Sequence, residues 1–391
     1  MNGSGERGSK NIVICCDGTA NEFAKNRTNV IKLYSVLVQD TPDQVTFYHP
    51  GIGTMEPFGS LSPITRRFTR LLGMAVGYGL ENDIRDAYAF LTQAYEPGDR
   101  IYLFGFSRGA FTVRAVASLI HWYGLIRKDN NPLIPYAIRM LMGIQKAQGS
   151  SVAVSNYFDL AKQFSETMAC AKPSIHFVGV WDTVSSVGWV DNPLHLPGEA
   201  NNPDIEIGRH AVSIDERRAF FRSHLWVPPT DPAKPRGPQD VKQVWFPGVH
   251  CDVGGGYQEE ESGISKYALK WMIDEGKAAG LLIDPSKESD VLGITPGSTY
   301  APARPDAKKH RSLAGLWNIA EFIPKRHWNS VKQCWEHRMN LYRRRQIPPA
   351  SLVHESAYLQ GVDYQQRIPA SAIKVPVKGS EQTAQKDLQS S

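Results

Sequence analysis

Residues 105–109 of the 391-residue chain read Gly-Phe-Ser-Arg-Gly, the pattern G-x-S-x-G. A serine hydroxyl attacks well only when a sharp strand-to-helix turn exposes it, and glycines on either side let strand and helix approach that crowded turn. The surrounding residues suit such a turn. "RIYLFGF" (100–106) is an apolar run of strand character, and "RGAFTVRAVASLIHWYGL" continues with helical spacing and closes at Gly124. The chemistry implied is nucleophilic acyl transfer at Ser107; the alternative is an ordinary Gly-flanked turn.

An attacking serine needs a base, and the base needs a carboxylate to fix its tautomer. Of 11 histidines, His250 stands out in "FPGVHCDVGGGY", where Gly254, Gly255 and Gly256 allow a close-packed loop. His310 and His354 are reserves. For the acid, Asp182 ends the strand "SIHFVGVW", at the same sheet edge as Ser107, which gives the chain order Ser, Asp, His. Asp252, two residues from His250, is the rival. It could instead brace the loop or bind a cation, although no EF-hand spacing supports calcium.

The tetrahedral intermediate of acyl transfer carries an oxyanion that two backbone N–H groups must meet. One belongs to the residue after the serine, Arg108; the other comes from a loop after an earlier strand. "NIVICCDGTANEF" (11–23) supplies such a loop, with Gly18 or Thr19 as donor and Asp17 ordering the turn. The same stretch could open a phosphoaspartate phosphatase of the haloacid dehalogenase type. That chemistry needs an aspartate nucleophile where Cys15 stands, and it leaves Ser107, Asp182 and His250 without a role.

The elements that must position these residues alternate. Apolar runs at 11–16, 44–48, 100–106, 174–181 and 242–250 are separated by helical spacing at 28–40, from Leu80 to the "EPGD" stop, after Ser107 and at 262–282. Such alternation implies a mostly parallel sheet with helices on both faces and function in the loops beyond the strands' carboxyl ends. Two helical stretches within 130–172 read as an insertion. Asp215, Glu216, Arg217 and Arg218 read as a charged helix, salt-bridged or forming a buried network under the site.

Composition sets limits. A chain 41% hydrophobic and 21% charged buries a large core, and 44 basic against 39 acidic residues leave a mild net charge of +5. With no dense basic block or reader module, nucleic acid is excluded as a partner. Five cysteines, two of them adjacent in an apolar run, read as buried thiols of a reducing compartment. "MNGSGERGSK" has no signal-peptide core, and no run of about 20 apolar residues could span a bilayer. The expected location is cytoplasmic, with any export independent of a signal.

"DGTAN", "RTNV", "GFSRGAFTVRA", "GVWDTVSSVG" and "FPGVHCDVGGGY", in this order over residues 10–280, resemble the α/β-hydrolase family that includes the type VI secretion phospholipase effectors. "HAVSIDERRAFF" and "LVHESAYL" resemble it more loosely. The resemblance implies an esterase or lipase without cofactor or metal, with the family's triad on Ser107, Asp182 and His250. It also implies a lipid ester substrate, transient contact with a membrane surface and a secretion or immunity partner.

The expected organisation is a flexible N-terminus (1–10), an α/β-hydrolase domain (11–285), a C-terminal cap or brace (286–370) and a disordered tail (371–391). Gly105, Gly109, Asp17 and Asp252 support the site. Residues 62–79, with Arg66, Arg67 and Arg70 beside apolar side chains, are a candidate lid, and residues 313–329 a candidate pocket wall. A binding or regulatory protein that keeps the fold without turnover is the alternative.

Overall fold

The computed structural model describes residues 8–18, 27–51, 79–147, 151–184, 196–219, 221–227, 239–313, 318, 321–322, 324–329 and 334–377. Its strands, in chain order, begin with Asn11–Cys16 (β1), Gln44–His49 (β2) and Arg100–Phe106 (β3). A small antiparallel pair, Leu125–Ile126 (β4) and Ala169–Ala171 (β5), precedes Ile175–Trp181 (β6), Ile205–Ser213 (β7) and Asp240–Phe246 (β8). The hairpin Lys325–Asn329 (β9) and Cys334–Arg338 (β10) follows, then Leu352–His354 (β11) and Ile373–Val375 (β12).

The apolar runs become strands because both their faces are covered: every residue of β1 is buried, and β3 is buried from Ile101 onward. Buried backbone groups must be paired, and parallel neighbours pair them. Eight strands join in the order β2-β1-β3-β6-β7-β8-β11-β12, every neighbour parallel.

The helices are Asn29–Val36 (α1), Leu80–Ala94 (α2), Arg108–Tyr123 (α3), Ile134–Ala147 (α4), Ser151–Met168 (α5), His250–Gly254 (α6), Ser265–Ala278 (α7), Pro285–Val291 (α8), Glu355–Tyr358 (α9) and Val362–Gln365 (α10). One core cluster joins α2 to α5 to one face of the sheet through Leu80, Phe111, Leu119 and Leu141. The other joins α1, α7 and α8 to the opposite face through Leu33, Trp271, Met272 and Val291. This is the α/β-hydrolase arrangement, with the 130–172 segment adding α4 and α5 beside α3.

Three sequence expectations change. The sheet does not end with β8: β11 and β12 extend it, so the segment after 285 is built into the same sheet, and β12 falls within the stretch expected to be a disordered tail. Residues 214–219 form a loop and not a helix. There Ile214 and Asp215 donate their N–H groups to Phe246 and Gly248, prolonging the β7–β8 pairing past the point where a helix could begin. The strand before His250 ends at Phe246, and Gly248, at φ 101°, turns the chain so that His250 opens α6.

Candidate active site

β3 runs into Ser107, whose φ of 56° and ψ of −119° lie outside the ordinary L-residue regions. Such strain persists only where surrounding packing over-determines it, at a cost of about 1–3 kcal/mol. The two glycines supply that packing. A Cβ on Gly109 would stand 2.0 Å from the Cys16 carbonyl oxygen, and one on Gly105 would stand 2.5 Å from the carbonyl oxygen of Gly109. Helix α3 can therefore press against the ends of β1 and β3, and Ser107 is left partly exposed on the turn between them.

Because β3 and β6 are neighbours with Phe106 opposite Trp181, Asp182 emerges beside Ser107, and the Ser107 N–H donates to the Trp181 carbonyl at 3.2 Å. His250 arrives from the far side, after β8. Its Nδ1 lies 2.7 Å from Asp182 Oδ2, both groups buried. The imidazole ring sits between Phe106 and Phe221, at centroid distances of 4.6 and 4.9 Å. Its Nε2 is buried and has no hydrogen-bond partner among the described residues, Ser107 included. Hydrogen bonds between nucleophile and base often tighten only once substrate is bound.

The carboxylate of Asp182 is held from every side. Oδ1 accepts from the Ser213 N–H at 2.8 Å and from Arg345 Nη1 at 2.5 Å; Oδ2 accepts from Ser213 Oγ at 3.0 Å and from Arg345 Nη2 at 3.2 Å. Burial alone would raise its pKa, but Arg345 and His250 outweigh burial and hold it well below the usual carboxylate range. Burial lowers the His250 pKa, with Asp182 opposing, so the neutral ring is favoured. Below them Glu216 is buried, accepting from Arg218 and from the His250 N–H at 3.2 Å. Burial would raise the Glu216 pKa too, yet Arg218 brings it down to about 2.

On the opposite side of Ser107 lies the first loop. Asp17 is buried, and its Oδ2 accepts from Thr28 Oγ1 at 2.5 Å and Tyr48 OH at 2.9 Å. Its Oδ1 takes the Gly18 N–H at 2.7 Å, so this candidate oxyanion donor is turned to Asp17. Thr19 lies outside the described residues. The N–H of Arg108 stands at the first helical position of α3, directly after Ser107. The Arg108 side chain approaches buried Asp83 at 4.0 Å, and burial lifts the Asp83 carboxyl to about 6 against the pull of His49 and Arg108.

The rival acid is committed elsewhere. Asp252 accepts from the Val249 N–H and lies 2.7 Å from His310 Nδ1, while His310 Nε2 lies 2.8 Å from Glu261. His354 caps α9 and contacts Ser356. Neither reserve histidine contacts Asp182. Among the described residues no group of three or more His, Cys, Asp or Glu could hold a metal, and no helix is long and apolar enough to cross a membrane. Lid residues 62–78 lie outside the described residues, as do 314–317, 319, 320 and 323 of the pocket-wall segment.

Sequence reasoning missed Arg345, Ser213 and the role of "RTNV". Thr28 holds Asp17 and caps α1, and Asn29 Nδ2 donates to the Val253 and Ser265 carbonyls, tying the first loop to the His250 loop. The motif was visible in the sequence; its polar Thr-Asn pair at a helix start was the usable signal.

A family model described as T6SS, phospholipase effector Tle1-like, catalytic domain, matches residues 10–275. The chain is also 36% identical over 228 residues to the uncharacterized protein YEL023C of Saccharomyces cerevisiae, a match over 56% of this chain and 33% of that protein. An uncharacterized protein from Pseudomonas aeruginosa, of known crystal structure, has 21% identity and a TM-score of 0.42, covering 72% of this chain and 47% of its own. The Tle1 effector bound to the VgrG spike of the type 6 secretion system has 17% identity and a TM-score of 0.34, covering 66% of this chain and 53% of its own. The chain thus spans between a third and about half of the length of these relatives.

Proposed function

The chain belongs to the family of Tle1-like phospholipase effector catalytic domains, and we propose that it is a serine hydrolase of lipid esters, with Ser107 as nucleophile, His250 as base and Asp182 as the carboxylate that orients the base. The observation that carries this reading is the 2.7 Å contact between His250 Nδ1 and Asp182 Oδ2, next to a serine held in the strained turn.

With Nδ1–H donated to Asp182, Nε2 is the basic nitrogen. It takes the Ser107 proton as Oγ attacks the ester carbonyl carbon, and the carbonyl electrons move to oxygen. The Arg108 N–H meets that oxyanion, joined by Thr19 or by a Gly18 N–H released from Asp17. Collapse breaks the bond to the alcohol, which leaves with the proton from His250. Water, deprotonated by the same nitrogen, then attacks the acyl-enzyme and frees the acid and Ser107. No cofactor enters these steps. The family's description favours phospholipid as substrate and makes a component of the type VI secretion system the class of partner to test.

The test is hydrolysis of p-nitrophenyl esters of rising chain length and of a fluorogenic phospholipid, by wild type and by Ser107→Ala. Wild type should turn over, and the variant should lose roughly a thousand-fold or more. A folded wild type that turns over neither substrate, and whose Ser107 takes no fluorophosphonate label, would reduce the protein to a binding module on a hydrolase fold.

A further inference from the structure

Next to the triad is a cavity of about 700 Å³ with twelve lining residues, seven of them arginines. Three lining residues also touch the triad: Phe221 packs on His250, Arg345 grips Asp182, and Glu216 accepts from the His250 N–H. The arginines are unevenly matched by acid. Arg345 is taken by Asp182 and Arg218 by Glu216, the one carboxylate in the lining among the described residues. Arg338, Arg343 and Arg344 make no ion pair among the described residues. Arg217 has a buried Nε without a hydrogen-bond partner among the described residues. Nearby Glu321 is occupied by the N–H groups of Ala219 and Tyr342 and by Asn340.

Cations gathered this way repel one another. Burial lowers the Arg222 pKa to about 10, with Arg338 and Arg343 adding to the effect. Burial also lowers that of Arg217, helped by Arg344 and Arg367. An arriving anion would offset this, and guanidinium forks match phosphate oxygens two at a time. A cavity of about 700 Å³ suits a compact group with several such oxygens.

The chain neighbours of the lining residues Arg338, Asn340 and Arg343 indicate where that group comes from. Leu341 and Tyr342, at φ 49° and 59°, are 48% and 38% exposed, and Met339 and Phe322 are 40% and 50% exposed. Phe322 and Tyr342 meet edge to face at 5.8 Å. Exposed aromatic and aliphatic side chains set among arginines form the combination that settles into a lipid headgroup layer.

We propose that this arginine cavity receives the multiply charged phosphate headgroup of a membrane lipid while Phe322, Met339, Leu341 and Tyr342 rest in the bilayer interface. The proposal deepens the lipid-ester reading by assigning a preference for anionic over zwitterionic lipid surfaces, and it rests on that reading for the fate of the bound lipid.

The experiment uses the full chain carrying Ser107→Ala, so that no lipid is consumed, sedimented with phosphatidylcholine vesicles or with the same vesicles doped with phosphatidylinositol bisphosphate. Doped vesicles should bind at least about 10-fold more tightly, and Arg343→Gln/Arg344→Gln should lose about 10- to 30-fold of that affinity. Both arginines are exposed, and thermal melting checks that the variant folds. Lys162→Gln/Lys172→Gln, the same charge change outside the cavity lining, should bind like the parent. Equal binding to both vesicles, or an arginine variant matching the lysine control, overturns the proposal. Binding of inorganic tripolyphosphate without vesicle binding overturns the lipid assignment and leaves a soluble phosphate compound as the ligand. Vesicle preference with no Ser107-dependent hydrolysis would sink the hydrolase reading alone.

Discussion

Residues 10–275, the part matched by the family model, carry Ser107, Asp182 and His250, each at or just after the end of a central strand. Among the described residues, those beyond 275 bring no serine, cysteine or histidine into contact with Asp182 or His250. They bring Arg345 with two N–H groups on Asp182, Tyr364 and Arg367 on Asp215, and two strands of the sheet. The difference separates the proposed reacting groups from their support: Ser107, Asp182 and His250 stand where local chain geometry puts them, and the guanidinium that helps keep Asp182 ionised comes from a distant segment. Without Arg345 the buried carboxylate would keep only neutral partners, His250 and the Ser213 N–H and hydroxyl, and an unmatched buried charge is costly.

Substitutions can break this division. The largest effect falls in the first region: Asp182→Asn should lower kcat/KM by about 10³- to 10⁴-fold, since the amide holds the wrong tautomer of His250. Steady-state kinetics on a soluble ester measures it, and a loss under ten-fold would remove Asp182 from the site. Next, Arg345→Met leaves the buried Asp182 charge half-matched and should cost about 3–5 kcal/mol in urea unfolding, with a fall in kcat. Unchanged stability and turnover would mean that the C-terminal segment is not a brace. The smallest effect is on pH. Burial keeps His250 neutral below its ordinary value of 6.5, so the acid limb of kcat/KM should lie below 6.5. A limb at or above 6.5 would mean that Asp182, which pulls the other way, outweighs burial.

Much of the first region was legible because its signals are local. A G-x-S-x-G between a strand and a helix, and an aspartate ending the next strand of the sheet, need only periodicity and turn chemistry to be found. The choice between Asp182 and Asp252 was not local: it turned on His310, which engages Asp252 across 58 residues of sequence. Arg345 was illegible for the same reason. Within "RRRQ" it is one of three consecutive arginines, and only the strand order brings it to Asp182 while Arg343 and Arg344 stay exposed. Residues 215–218 misled because their charges fit a helical face, whereas Glu216 spends its carboxylate on the N–H groups of Arg217 and Arg218.

The Asp182–Arg345 pair also bears on how the molecule is made. The two residues are 163 positions apart, so at roughly 5–20 residues per second the guanidinium leaves the ribosome about 8–33 s after the carboxylate it neutralises. During that interval β8 lacks its outer neighbour, β11, and the nascent chain presents an unpaired edge in need of a chaperone or a folding delay. The guanidinium that matches the Asp182 charge is thus added only after six of the eight strands of the sheet have been translated.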